Sequence, residues 1–489
     1  MPRASVPSLL VLATALISVG GTAWQVVCSQ EPPNTTISAE SYGLPPLPAS
    51  ALGPRGAADP PPGRPYFVGS ASCATSNCHG GPTGEGRKQG SEYSWWAQDP
   101  HSRAYYTLLG KDSQAIVARL RWSQPAHLAE GCLVCHATGD DQAIRAIPHR
   151  LAEGVGCESC HGAASEWLDL HVGGAWWAAS QAEKQRTGFI NTDDLRVRAK
   201  MCSDCHVGSS DRAVNHDLYA AGHPPLAFEM SAYHTLLPKH WRRDEDKRRH
   251  GETFEAQLWL RGQFAAADAA LGRLEQFATD QDAAWPELAE YNCYSCHHEL
   301  AEPSWRRDPA HGVGRPGSLV WEAPYAELLA AVIPGEEDHA LRRELGLLRA
   351  AMHESLPRRE TVRAAVQRVR RHLARLANEV GDHEASPAAL SEQLRRLVQV
   401  DSPDATARWS DSTQRYLGVV ALRQAVIDVA AAQPELRPPW LEPVGRELVQ
   451  LRQRLVFPQG YLSPRGRSAQ QLEALATSLA AIGELLEAR

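Results

Sequence analysis

Two kinds of hydrophobic patterning divide the chain. From about Pro309 onward apolar positions step by three and four, as in Val362, Val366, Val369, Leu373 and Leu376, which share one helix face. Pro357, Pro387, Pro434, Pro438, Pro439 and Pro464 punctuate the stretch. They divide it into helices over roughly 337–356, 358–380, 387–400, 411–432, 440–456 and 468–488. Amphipathic helices in series predict an antiparallel helical bundle over 309–489. A further long helix is predicted over 253–279, where Phe254, Leu258, Phe264, Leu271, Leu274 and Phe277 recur near helical spacing. Over 66–308 short helices and loops with little sheet are expected, so the chain is mainly α. The bundle's Arg-rich face (Arg368, Arg370, Arg371, Arg375) reads as solvated surface, with docking of an acidic partner as the sharper alternative.

The first 65 residues are built differently. Arg3 precedes an uncharged run from Ala4 to Val27, and Gly21-Thr22-Ala23 offers small residues for cleavage. Residues 1–28 are therefore expected to be a signal peptide, the alternative being a single N-terminal membrane anchor. Cys28 follows Val26-Val27 and fits a lipoprotein site poorly. Residues 29–65 are rich in Pro, Ser, Ala and Gly, a composition that buries no core and predicts an extended linker. The rest is ordinary globular chain: 43% hydrophobic, 22% charged, net charge −7, with cations in company with acids. Nothing in this balance suggests a nucleic-acid partner, and none is expected.

The cysteines change the picture. Ten of the eleven fall into five units, each ending in histidine. They are Cys73, Cys78 and His79 (unit 1), Cys132, Cys135 and His136 (unit 2), and Cys157, Cys160 and His161 (unit 3). Cys202, Cys205 and His206 form unit 4, and Cys293, Cys296 and His297 form unit 5. Units 2 to 5 are CxxCH; unit 1 has four residues between its thiols. Zinc ligation, disulfides or a dithiol redox pair would each use paired cysteines. None explains a histidine directly after the second one, in a chain with 20 histidines among 489 residues. Covalent attachment of c-type haem explains it: two thiols bond the porphyrin and the next imidazole turns onto the iron. Five haem c groups are expected, with His79, His136, His161, His206 and His297 as axial ligands. Attachment takes place outside the cytoplasmic membrane, so the protein is expected in the periplasm or on the membrane's outer face. There are few residues per unit for a self-sufficient core, so the porphyrins themselves must supply apolar interior. Trp95, Trp96, Trp122, Trp176 and Trp177 suit packing against them.

The sixth iron position decides function. A second histidine makes a closed electron carrier; an open position binds a small molecule. His101, after Trp95-Trp96-Ala97-Gln98-Asp99-Pro100, is the leading distal candidate, followed by His171 and His223 and then His216 and His234. His127, His149, His240, His250 and His298 rank lower. Met230 is the remaining methionine alternative.

These residues resemble the tetrahaem cytochrome c-554 family of ammonia-oxidising bacteria. The resemblance is carried by GVGCESCHG at 154–162 with the trailing His171, and by Trp95, His101 and Ala104 after the first unit. CLVCHATG at 132–139 and Met201-Cys202 follow in the same order. It covers roughly residues 70–210. It implies haems stacked in close pairs, helical surroundings, periplasmic electron transfer, and a five-coordinate second haem, here that of Cys132, Cys135 and His136. The family's partner is hydroxylamine oxidoreductase. The wider first unit, the fifth unit and the bundle depart from the family.

The expected function is an exported multihaem cytochrome that relays electrons between redox partner proteins through five mostly bis-histidine haems. The alternative is a reductase or oxidase of a small nitrogen or sulfur compound at an open haem, with His127, His149 and Asp140 near unit 2 as proton carriers.

Overall fold

The computed structural model describes residues 64–82, 90–139, 151–242, 244–297, 319–333, 336–380, 386–399, 409–455 and 469–487. The N-terminal segment with Cys28, almost all of the linker, and Asp140, His149 and His298 lie outside the described residues. The described chain is helical; its only β pairings are isolated bridges such as Tyr291 with Trp321. Among the described residues no helix is long and apolar enough to cross a membrane.

Residues 64–250 form short elements. They are α1 (Glu92–Trp96), α2 (Ala104–Thr107), α3 (Lys111–Arg119), α4 (Glu130–His136), α5 (Cys157–His161), α6 (Gly174–Ala178) and α7 (Gln181–Arg186). There follow α8 (Leu195–His206), α9 (His216–Ala221), α10 (Met230–Leu236) and α11 (Glu245–His250). Helices α4, α5 and α8 each end on an attachment histidine. Apolar packing here is divided into small clusters, one around Tyr105 and Leu133 and another around Ala164, Trp167 and Trp176.

The second half is a bundle. It comprises α13 (Pro324–Val332), α14 (Glu336–Met352), α15 (Arg359–Glu379), α16 (Pro387–Val398), α17 (Trp409–Ala432), α18 (Leu441–Leu455) and α19 (Ala469–Glu487). The six helices expected from periodicity are present within a few residues of their predicted ends. Helix α13 was not expected, because Pro324–Val332 is short and nearly all apolar and carries no period to detect. A single core runs through the bundle, with Leu348, Val366, Leu394, Leu422 and Leu479 removed from solvent. Each such side chain contributes about 1.5–3 kcal/mol of burial free energy.

Between the halves lies α12 (Phe254–Thr279), buried nearly all round. One side packs on α8 and α10 through Phe254, Leu258 and Ala266; the other meets α13, α15 and α17 through Trp259, Leu271 and Leu274. Arginines fix its antiparallel partner. Arg261, near the start of α12, donates to the Ala377 and Val380 carbonyls at the end of α15, both at 2.6 Å. Arg359, at the start of α15, donates to the Phe277 carbonyl in the last turn of α12 and to the Ala283 carbonyl just beyond it, again at 2.6 Å. Each helix thus receives a cation on its carbonyl terminus, where the last peptide groups lack intrahelical partners. Arg370, expected on a solvated face, instead pairs with Asp268 at 2.7 Å and Glu275 at 2.6 Å on α12. Arg368 reaches Glu344 on α14 at 3.0 Å.

Gly262 marks the close crossing of α12 and α10. A glycine-to-alanine change inside a helix ordinarily gains about 1 kcal/mol. Here the added Cβ would overlap Met230 Cβ, part of a fixed helix rather than a movable side-chain tip. Overpacking costs about 1–3 kcal/mol and outweighs the propensity gain. Gly262→Ala should therefore lower the thermal midpoint, as followed by far-ultraviolet circular dichroism.

Candidate haem site

The fold brings imidazoles from distant parts of the chain together. His79 and His171 have ring centres 6.1 Å apart with planes 14° from parallel. His206 and His101 are 6.0 Å apart at 75°. His161 and His240 are 6.1 Å apart at 77°. Each pair joins one attachment histidine to one outside any attachment unit. Two metal–nitrogen bonds of about 2 Å, plus about 1 Å from each nitrogen to its ring centre, give a separation on the order of 6 Å. The donor set and its spacing therefore fit an iron held between two imidazoles.

The hydrogen bonds fix which nitrogen is presented. His79 Nδ1 lies 2.8 Å from Glu92 Oε2, and His101 Nδ1 lies 3.0 Å from Asp99 Oδ1. His136 Nδ1 donates to the Ala104 carbonyl at 3.1 Å, His171 Nδ1 to the Leu168 carbonyl at 2.5 Å, and His223 Nδ1 to the Pro224 carbonyl at 2.8 Å. Carbonyl and carboxylate oxygens only accept, so in all five rings the proton sits on Nδ1 and the Nε2 lone pair is left for a metal. The Glu92 hydrogen bond raises the His79 pKa. Burial opposes the charged form of His101, yet the Asp99 hydrogen bond and charge carry its pKa upward. Burial takes His161 and His206 from 6.5 down to about 4, so both rings stay neutral at physiological pH.

Contacts between units set their order in space. The thiols of Cys73 (unit 1) and Cys157 (unit 3) share a hydrogen bond that raises the pKa of the first and lowers that of the second. Cys135 (unit 2) and Cys205 (unit 4) are coupled in the same way. Burial pushes the Cys160 thiol of unit 3 up to about 12, and Val155 N in that unit's leader donates to the carbonyl of His101, whose ring lies 6.0 Å from His206, which puts unit 3 beside unit 4. All ten unit cysteines are free thiols, so no disulfide claims them. The units therefore adjoin in the order 1, 3, 4, 2.

The GVGCESCHG segment ties this cluster together. Glu158, between the two cysteines of unit 3, is buried, and its carboxylate accepts from the backbone N–H of Val68 at 3.0 Å, Gly69 at 2.7 Å and Ala164 at 2.8 Å. Glu153 accepts from Ser70 N at 2.6 Å, so two carboxylates hold the strap that leads into unit 1. Gly154 has φ +63°, and a Cβ there would sit 2.5 Å from the His101 carbonyl. That carbonyl accepts from Val155 N at 3.0 Å, fixing the backbone of His101. A glycine in unit 3's leader thereby positions the imidazole that faces unit 4.

Unit 5 is fastened elsewhere. Asn292 N donates to the Val320 carbonyl at 2.8 Å, Val320 N to Ser295 Oγ at 2.9 Å, and Tyr291 OH to the Met352 carbonyl at 3.0 Å. The fifth unit thus sits on the bundle's first helices. Half-buried Arg273 links it to unit 4, pairing with Glu290 at 2.6 Å and donating to the carbonyl of Val207, the residue after His206. Helix α9 lies beside it: His216 N donates to Glu287 Oε1 at 2.8 Å, and the helix packs on residues 288–290 just before Cys293. His223, just past α9, is close enough for its charge to help lower the His136 pKa, after burial.

Of the distal candidates from the sequence, His101 and His171 each face an attachment histidine. His223 lies beside unit 2 and His216 beside unit 5. His234 is placed differently: it is buried with Nε2 3.2 Å from Arg198 Nη1 and 3.7 Å from Asp246 Oδ2. His240, ranked low, takes the place opposite His161. Sequence reasoning also missed Glu92 and Asp99; an acid 13 residues after His79, and the Asp-Pro-His order, were their only signals.

Facing imidazoles over thiol pairs define a class, the c-type cytochromes. Residues 72–162 match the family described as Cytochrome c554 and c-prime. The match spans units 1 to 3 and ends on the last glycine of GVGCESCHG, under a fifth of the 489 residues. It supports a c-type cytochrome with covalently bound haem and a role in electron transfer. No curated protein and no solved structure matches the chain.

Beside unit 4, Phe228 lies 5.6 Å from His206, and the next residue, Glu229, caps α10 by accepting from Ser231 N and Ala232 N at 2.9 and 2.8 Å. Burial pushes the Glu229 carboxyl up from 4.5 to about 7, against those two hydrogen bonds. Above pH 4.5 the unfolded chain has lost a proton that the folded state keeps, so stability from this group falls as pH rises toward about 7. Glu229→Gln should remove that slope. Urea unfolding from pH 4.5 to 8 should show the variant gaining on the parent chain as pH rises.

Proposed function

We propose that this protein is an exported pentahaem cytochrome that passes electrons between redox partner proteins, with its irons closed by pairs of histidines. The observation that carries the proposal is the set of three facing imidazole pairs at 6.0–6.1 Å. Each haem, when bound, supplies a one-electron iron couple. The chain's own work would be to hold two imidazoles opposite each other and exclude water.

Units 1, 3 and 4 are assigned the pairs His79 with His171, His161 with His240, and His206 with His101. For unit 2 we assign His223, whose charge His136 feels and whose Nδ1 is committed to a carbonyl. For unit 5 we assign His216, on the helix whose first N–H donates to Glu287 just before that unit. Residues 1–28 are assigned to export, as signal peptide or anchor, and 29–65 to a linker carrying the haem region of 66–308 and the bundle of 309–489. Successive contacts between units would give a relay in the order 1, 3, 4, 2, with unit 5 joined through Arg273 and α9.

The test is mass and spectrum of the holoprotein made in a host that attaches haem c. The mass should exceed that of the mature polypeptide by five haems, and the ferric spectrum should be low-spin throughout. His101→Ala and His171→Ala should each convert one iron to a high-spin, carbon monoxide-binding form. A colourless, compact product of bare polypeptide mass would overturn the reading. Carbon monoxide binding by the unaltered protein would instead favour the small-molecule enzyme, with unit 2 open.

A further inference from the structure

We infer that Asp246 is the positioning residue for His240, holding that imidazole opposite His161; this rests on the ligand pairs assigned under Proposed function. His240 has a half-buried place in the irregular stretch between α10 and α11, where no helix fixes it. Its two neighbours in sequence both reach one buried carboxylate. Trp241 Nε1 donates to Asp246 Oδ2 at 2.8 Å, and Lys239 Nζ lies 3.9 Å from the same oxygen. The indole of Trp241 stands at 89° to the His240 ring with centres 5.0 Å apart, forming a wall that sets its rotation.

Asp246 is itself anchored. Arg198 Nη1 donates to its other oxygen at 2.9 Å, while Arg198 Nε donates to the Thr192 carbonyl at 2.8 Å and the guanidinium lies 5.6 Å from the Trp241 ring. Arg198 and Asp246 are at most 9% exposed, so water does not dilute the pair. A buried, hydrogen-bonded charge pair of this kind fixes geometry because losing one partner leaves the other unsatisfied. Arg198 belongs to α8, which also carries Cys202, Cys205 and His206. The ligand of one unit is thereby set from the attachment helix of the next.

The experiment uses the full holoprotein and reads carbon monoxide binding to reduced iron together with the low-spin ferric resonances. His240→Ala should open one iron of five. Asp246→Asn should open the same iron in part and displace the resonance that His240→Ala abolishes, and the double variant should open no more than His240→Ala alone. Asp244→Asn, which removes only the exposed ion pair with Arg242, should leave every iron closed. If Asp246→Asn does not fold, Trp241→Phe carries the same test, since it removes the indole N–H and keeps a ring. Irons that stay closed in Asp246→Asn, or in Trp241→Phe where that variant stands in, would overturn the positioning role while His240→Ala still opened one. Opening in Asp244→Asn would also overturn it, as general loosening. No opening in His240→Ala would overturn the ligand assignment itself.

Discussion

Everything in the first half of the chain answers to one distance. Two imidazoles that share an iron must stand with ring centres about 6 Å apart and their free nitrogens facing inward. The ring centres of His79 and His171, His101 and His206, and His161 and His240 stand 6.0–6.1 Å apart across long stretches of sequence. A hydrophobic core cannot set such a distance, because apolar contact is non-directional. The region uses directional contacts instead. Glu158 and Glu153 hold the strap into unit 1, the Gly154 turn carries the backbone of His101, and Asp246 gathers the residues on either side of His240. The small size of its apolar clusters follows from the same demand.

The bundle solves a different problem. Short elements with scattered apolar contacts give little cooperative stability, since burial of apolar area is the main favourable term in folding. Helix α12 connects the two regimes. Its Phe254 and Leu258 face belongs to the attachment region, and its Trp259 and Leu271 face to the continuous core of the bundle. Arg261 and Arg359 lock α12 to α15 at both ends. Unit 5 sits on the bundle side of this joint, held by Val320, Ser295 and Met352. Its position is therefore fixed by the bundle, whereas units 1 to 4 are fixed by one another.

How much the sequence disclosed depends on how local the signal was. The five attachment units are contiguous and need no fold to be read. The bundle helices carry a period of three and four that survives any tertiary arrangement, and proline marks their ends. Distal histidines have no such signature, because each is defined by a partner 79 to 105 residues away. His101 and His171 could be named through the family resemblance and their spacing after a unit. His240 could not, since nothing local separates it from His234, six residues earlier. What separates them is burial beside Arg198: His234 joins the Asp246 ion cluster and becomes part of the support, while His240 is left on the side that faces His161. Arg370 failed for the same reason, its partners Asp268 and Glu275 lying about a hundred residues upstream.

The supports themselves are unequal. Glu92 and Asp99 place a full negative charge on the Nδ1 proton of His79 and His101, whereas His136, His171 and His223 donate to neutral carbonyls. A carboxylate draws that proton further and leaves the opposite nitrogen more basic than a carbonyl does. On the ligand pairs proposed above, units 1 and 4 would each have one electron-rich imidazole. At unit 2, both His136 and its neighbour His223 are backed by carbonyls. Electron donation favours the oxidised metal, so on those pairs the chain would grade its sites through the partners of Nδ1. The order of contacts, 1, 3, 4, 2, runs from a carboxylate-backed site to a carbonyl-backed one. The anchors of Nδ1 are thus where this sequence varies the sites without altering the attachment chemistry.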